Sequence, residues 1–253
     1  MENLSPQPSP RRLALLHGFL GAPGSWDRVR AHLAGSSVET PRLLGHDGAA
    51  RGAATFEEEL ARLWRAHAPW PETLVGYSLG ARVALGLAAR APRPYARLVL
   101  VSGRDGLRDA EEARVRRAAD DALAEALRAE GLEAFVDRWQ AQPLFASQSA
   151  LPDEVRAAHR ARRLAHDPAA VAEALSVLSL GRMPSFGALA VARTARVELV
   201  VGARDPKFRK IAEELAREHG GRRNVRVHVV PDAGHDLVLE RPEALAAILE
   251  DRA

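Results

Sequence analysis

Thr73-Leu74-Val75-Gly76-Tyr77-Ser78-Leu79-Gly80 is a short apolar run that ends in G-x-S-x-G and passes straight into Arg82 to Ala89, which has helical spacing. A strand that turns sharply into a helix needs small residues at the turn, so that the chain can reverse and the two elements can approach closely. Gly76 and Gly80 meet that need on either side of the serine. The turn would hold the Ser78 hydroxyl clear of the sheet at the positive end of a helix. The pentapeptide alone is a weak signal, and its strand–turn–helix setting strengthens it.

Further from this turn the same rhythm repeats. Leu13 to His17 is an apolar run ending at Gly18, followed by a helix-like stretch from about Gly24 to Leu33. Arg97 to Ser102 and Val197 to Gly202 are two more buried-strand patterns, and Val225 to Val230 is followed by Pro231 and a last helix from Pro242 to Asp251. Short β-branched runs alternating with helices predict an α/β fold: a mostly parallel sheet covered on both faces. From about Gly106 to Leu189 only helical patterns rich in Ala, Arg and Leu occur. The expected organisation is therefore a core of residues 1–105 and 190–253, with a helical cap insertion at 106–189 roofing the strand ends.

A serine at such a turn becomes reactive beside an imidazole whose tautomer is fixed by a carboxylate. His235, in Asp232-Ala233-Gly234-His235-Asp236 after the last strand, is the expected base. His228 and His219 read as structural or solvated, as do His32, His67, His159 and His166 on helical segments. Asp205, just after the Val197 to Gly202 run, is the expected acid, with Asp105 after the preceding strand as its rival. Asp232 and Asp236 read as loop-forming. His17-Gly18-Phe19 follows the first strand, so the Phe19 and Leu79 backbone N–H groups are expected to converge on a developing oxyanion. The order Ser78, Asp205, His235, with each group at a strand end, predicts the α/β-hydrolase fold.

Composition removes other classes. The 253 residues carry a net charge of +3 and no cysteine, which excludes a disulfide scaffold, a thiolate metal site and a cysteine nucleophile. Thirty-four of the 36 basic residues are arginines, but they are spread along the chain rather than gathered in the stripe of a nucleic-acid binder. No run is long and apolar enough to span a bilayer. Met1 to Arg12 is polar, with three prolines, and lacks the apolar centre of a signal peptide, so the expected address is the cytoplasm, with no membrane insertion. Oligomeric state is not legible.

Since this fold hosts many chemistries, the substrate must be read from the site. Arg82 lies four residues after Ser78, on the same helix face. A guanidinium there suits an anionic substrate, because it forks onto carboxylates; the alternative is a structural ion pair. Arg116 shares a stripe with Leu123 and Leu127, expected to face the cleft, and Trp139, one turn after Phe135, reads as core or cleft wall.

With those residues on the page, the chain resembles the 2-succinyl-6-hydroxy-2,4-cyclohexadiene-1-carboxylate synthases, α/β-hydrolase-fold lyases of menaquinone biosynthesis. The matching stretches are LLHGFLG, VGYSLGARVAL, GLRDAEEARVRRAAD, WQAQPLFAS, GARDPKF and AGHDLVLERP, between about Leu15 and Pro242. The resemblance implies elimination of pyruvate from a succinyl-bearing cyclohexene carboxylate, without metal or organic cofactor. It places Ser78, Asp205 and His235 as the triad, and Tyr77, Arg82, Arg116 and Trp139 around the substrate. It also implies a further cap arginine, best matched by Arg163 with Arg160 and Arg162 as neighbours in register. Ala81 in place of a glycine, and Gly45-His46-Asp47-Gly48 in place of a G-H-G run, depart from the pattern. The expected partner is a small multi-carboxylate substrate and no nucleic acid. The alternatives are a carboxylesterase or C–C bond hydrolase using Ser78 as covalent nucleophile, and a non-catalytic binding protein.

Overall fold

Side chains alternate between the two faces of a β-strand, and here that alternation sorts the core into two layers. The computed structural model describes residues 11–48, 51–186, 190, 194–219 and 224–251. Six strands, β1 (Arg12–Leu16), β2 (Ser37–Glu39), β3 (Thr73–Tyr77), β4 (Arg97–Val101), β5 (Arg196–Gly202) and β6 (Val225–Val230), form one sheet in the order β2-β1-β3-β4-β5-β6. Every pairing is parallel. Ala14, Leu16, Leu74, Leu98, Leu100, Val197, Leu199 and Val201 face one layer, completed by α2 (Phe56–His67), α3 (Leu79–Arg90) and the Pro206–Glu218 helix. Leu13, Leu15, Val75, Tyr77, Val99, Val101 and Val200 face the other, with α1 (Asp27–Arg30) and the Pro242–Glu250 helix. The expected α/β sheet covered on both faces is what forms.

Two elements escape the alternating pattern. Strand β2 is three residues long, too short to show a period. Helix α2 does carry a start signal, because the Thr55 hydroxyl accepts the Glu58 N–H at 3.1 Å, and a Thr followed three residues later by Glu marks a helix N-terminus. The stretch expected as a helix from Gly24 to Leu33 is a 3-10 turn, Pro23–Trp26, followed by the four residues of α1. His32 and His166, read as helical, lie in turns beyond helix ends.

Between β4 and β5 the described residues form no strand. They form α4 (Ala110–Glu130), α5 (Leu132–Gln140), a 3-10 segment Pro143–Ala150, α6 (Asp153–Leu164) and α7 (Pro168–Val177). These helices close on a small core of their own: Ala124, Leu127, Phe135, Val136, Val171, Ala172 and Leu175. Leu20, from the loop after β1, is buried in that same cluster. Residues 1–10 and 187–189, at the expected core and cap limits, lie outside the described residues. No described helix is long and apolar enough to cross a membrane.

One buried polar knot interrupts the second layer. Glu198 is fully buried and takes Arg97 bidentately, at 3.0 and 2.7 Å. Arg97 also donates to the Ile248 and Leu249 carbonyl oxygens at the end of the last helix. Removing one partner of a buried pair strands the other charge. Glu198→Gln is therefore expected to cost about 3–5 kcal/mol in urea unfolding, with little change of activity in the fraction that remains folded.

Candidate active site

Strand β3 delivers Ser78 because both flanking glycines are sterically required. A Cβ on Gly80 would run into the Leu16 carbonyl oxygen, and one on Gly76 into that of Gly80. Ser78 itself adopts φ 52° and ψ −105°, a conformation that costs of order 1–3 kcal/mol and persists only where the surroundings enforce it. Here the Ser78 N–H bonds the Val101 carbonyl oxygen at 2.9 Å, and the Arg82 N–H bonds the Ser78 carbonyl oxygen.

The loop after β6 brings His235 to the serine. His235 Nε2 lies 3.2 Å from Ser78 Oγ, and Nδ1 lies 2.7 Å from Asp205 Oδ2. With Nδ1–H donating to the carboxylate, Nε2 is left to accept the serine proton. Asp205 and His235 are both buried. The other Asp205 oxygen accepts the Phe208 N–H at 3.1 Å, capping the Pro206–Glu218 helix, so the acid is fixed by the same turn that starts that helix. The rival Asp105 instead pairs with Arg108 at 3.3 Å. Topology explains the choice: β5 neighbours β6, so the turns that follow them meet.

A residue that the sequence reading passes over fixes the imidazole further. Ser102, at the end of β4 with φ 48°, donates its hydroxyl to the His235 carbonyl oxygen at 2.8 Å. Its only sequence signal is its place directly after a strand. Ser102→Ala leaves that buried carbonyl unpaired and is expected to cost about 1–3 kcal/mol of stability. A thermal melt reads that loss, and kcat should fall with KM little changed.

The Phe19 and Leu79 backbone N–H groups, expected as oxyanion donors, stand on the loop after β1 and at the first residue of α3, and among the described residues neither donates to a protein acceptor. The Phe19 loop is pinned by histidines. His46 Nε2 accepts the Leu20 N–H at 3.0 Å, and His17 Nε2 accepts the Leu43 N–H at 3.3 Å. Burial pushes His17 down to about 4, so at neutral pH it is an uncharged structural ring. His166 stacks edge-on against His46 at 5.3 Å and links this cluster to the turn between α6 and α7.

Cavities open on two sides of Ser78. The larger, about 170 Å³, is lined by Arg82, Arg104, Arg116, Asp120, Trp139 and Lys207, among others. Arg82 donates to the Leu178 carbonyl oxygen at 2.7 Å. Burial first, and then Arg116 and Arg104, push its pKa below the usual arginine range, while Asp120 pulls it back. A guanidinium holds its proton regardless, so the shift reports a buried cation first and the like charges of Arg116 and Arg104 second. Arg116 bonds Asp120 through Nε alone, at 2.9 and 3.0 Å, and Ser179 holds the same carboxylate at 2.7 Å. The sequence reading does not single out Arg104 or Lys207; each stands two residues past a group at a strand end, where no side-chain pattern marks it.

The smaller cavity, about 40 Å³, is lined by Tyr77, His159, Arg163 and Asp236. Of the three cap arginines in question, Arg163 is the buried one, only 3% exposed, with its guanidinium 5.3 Å over the Phe145 ring. Arg160 is turned outward onto Asp137 and Glu133, and Arg162 lines neither cavity. Trp139 is both wall and core: it borders the two cavities, stacks on Phe135 at 5.8 Å and meets Phe19 at 4.9 Å. Among the described residues no group of three or more His, Asp or Glu side chains is placed to hold a metal ion.

A parallel sheet, a serine on a strained turn and a His–Asp pair from the last two strands define a class, and residues 13–248 match it: the chain belongs to the alpha/beta hydrolase family. It is 34% identical over 255 residues to the 2-succinyl-6-hydroxy-2,4-cyclohexadiene-1-carboxylate synthase of Klebsiella pneumoniae, covering 96% of this chain and 94% of that one. Within the larger family it therefore belongs with the 2-succinyl-6-hydroxy-2,4-cyclohexadiene-1-carboxylate synthases. The solved structure of MenH from S. aureus superposes with a TM-score of 0.88 at 28% identity, covering 97% of this chain and 94% of that chain. Protein PHYLLO, chloroplastic, of Arabidopsis thaliana is 34% identical over 247 residues, 90% of this chain; the chain spans 14% of that protein's length.

Proposed function

We propose that the protein is the pyruvate-eliminating lyase of menaquinone biosynthesis, converting 2-succinyl-5-enolpyruvyl-6-hydroxy-3-cyclohexene-1-carboxylate to 2-succinyl-6-hydroxy-2,4-cyclohexadiene-1-carboxylate. The same proposal places it in the cytoplasm, acting on a small multi-carboxylate substrate, binding no nucleic acid and needing no cofactor. The observation that carries the reading is the pair of arginine-bearing cavities flanking Ser78, joined to the family membership.

In this reading His235, oriented by Asp205, draws the Ser78 proton, and Ser78 Oγ takes a proton from the substrate ring. The electron pair left on the ring is delocalised into a conjugated anion, whose oxygen is held by the Phe19 and Leu79 N–H groups. As the ring diene forms, the C–O bond breaks and its electron pair departs with the enolpyruvate oxygen. The proton gathered on His235 returns to the departing group, which leaves as pyruvate. Arg82, Arg116 and Arg163 hold substrate carboxylates, and Tyr77 and Trp139 wall the space, so the scissile bond is oriented before reaction. Residues 106–189 act as a cap over the core formed by 1–105 and 190–253.

The test follows pyruvate release from the synthetic pathway intermediate beside turnover of an activated neutral ester. Faster elimination supports the lyase. A burst of acyl-enzyme, with ester turnover exceeding elimination, replaces it with a serine hydrolase, and absence of both leaves a binding protein.

A further inference from the structure

The smaller cavity, where Arg163 is proposed to hold a substrate carboxylate, also contains Asp236 and His159, two groups given no part in the elimination. Its volume, about 40 Å³, has room for roughly three waters or one carboxylate group. Arg163 reaches it from α6, and its Nε and Nη1 are buried with no hydrogen-bond partner. Leaving such donors unpaired costs free energy that a ligand oxygen would recover. Asp236 stands on the same cavity, its Oδ1 accepting the Leu239 N–H at 3.2 Å. His159 Nε2, also without a hydrogen-bond partner, lies 3.7 Å from the other Asp236 oxygen.

The groups facing Asp236 can be named from every side. Arg163 and His159 come from α6, Tyr77 from β3, His235 from its own loop and Glu240 from the short helix it caps. Burial pushes His159 down to about 3, with Arg163 and Arg162 adding to the effect, so this ring brings no charge. One buried cation, Arg163, therefore faces one carboxyl group across a space that fits a single small anion. With Asp236 ionised, an entering carboxylate would place two negative charges against that cation where little water screens them. With Asp236 protonated, the same carboxylate meets a guanidinium and an O–H donor.

We propose that a carboxylate entering the smaller cavity binds between Arg163 and Asp236 together with one proton, which Asp236 carries. The ligand class rests on the function argued above; the proton coupling is a separate claim. Asp236 is already disposed to it. Burial raises its pKa to about 6, with Glu240 pushing the same way, although Arg163 and His235 oppose them. The sign follows: binding is favoured at low pH and weakens as pH rises above the carboxyl's value.

The probe is pyruvate, titrated calorimetrically into the intact protein at pH 7.5 in two buffers of different protonation enthalpy. The expected result is uptake of about one proton per pyruvate bound. Asp236→Asn keeps the oxygen that caps Leu239 and needs no proton, so uptake should vanish and Kd should fall roughly 30-fold at that pH. Asp236→Ser should lose the uptake as well, and Arg163→Gln should lose the binding. Binding without proton uptake in the wild type, uptake that persists in both Asp236 variants, or binding indifferent to Arg163→Gln would each overturn the proposal. These readouts need no turnover. A protein that fails to eliminate pyruvate yet shows the coupling loses the function reading and keeps this one.

Discussion

Ser78→Ala is expected to slow pyruvate release by about 10³- to 10⁴-fold, near the upper end of what a positioned acid–base group contributes. The variant keeps the Cβ and therefore the strained turn at φ 52°, while removing the oxygen that lies 3.2 Å from His235 Nε2. Asp205→Asn should produce a loss of similar size by another route. An amide can present its NH₂ to His235 Nδ1 and leave the proton on the wrong nitrogen. In both variants substrate affinity, measured by calorimetry, should stay within about threefold, because neither group is asked to hold a carboxylate. A Ser78→Ala protein that retains more than a tenth of wild-type release would remove the serine from the proton path.

The second large effect is expected at Arg82. Arg82→Ala should lower kcat/KM for the elimination about 100-fold, the loss of one or two charge-assisted hydrogen bonds. Turnover of a neutral activated ester at Ser78 should change less than threefold, since an uncharged substrate gains nothing from the cation. Arg82→Lys should recover only part of the loss. An ammonium lacks the planar fork that lets one guanidinium nitrogen stay on the Leu178 carbonyl oxygen while others remain free for a carboxylate. The depressed pKa of Arg82 adds a check: an anion bound beside Arg82, Arg104 and Arg116 relieves their repulsion, so affinity for substrate should fall with added salt more weakly than a surface site does. If Arg82→Ala harms ester and elimination alike, the residue is structural.

The turn at Ser78 was legible because its requirements are local: two glycines, a strand before and a helix after are all visible within the seventeen residues from Thr73 to Ala89. The choice between Asp205 and Asp105 was harder, since each follows a strand. What separates them is that β5 lies beside β6 in the sheet, and strand order is a property of the whole chain. Arg163 and its neighbours posed the same difficulty on a helix. Arg160 is drawn outward by Glu133 and Asp137 of α5, and the packing of α5 on α6 is not written in either helix alone. Ser102 was missed for a different reason, because its contact depends on a left-handed backbone conformation that no side-chain pattern reports. The arginine-rich composition gave no help in finding Arg82, Arg116 or Arg163. It supplied many candidates, and a place on a cavity beside Ser78 selected among them.

Leu20 belongs by chain to the loop after β1 and by packing to the helices between β4 and β5, proposed above as a cap, and its neighbour Phe19 carries one of the two proposed oxyanion donors while its ring meets Phe135 and Trp139. For protein engineering this redraws the unit that can be exchanged. A cap grafted from a relative with residues 106–189 alone would arrive without the β1 loop it was fitted to, and would leave Phe19 misaimed over an otherwise intact triad. The transplantable module is discontinuous: the helices together with residues 18–22.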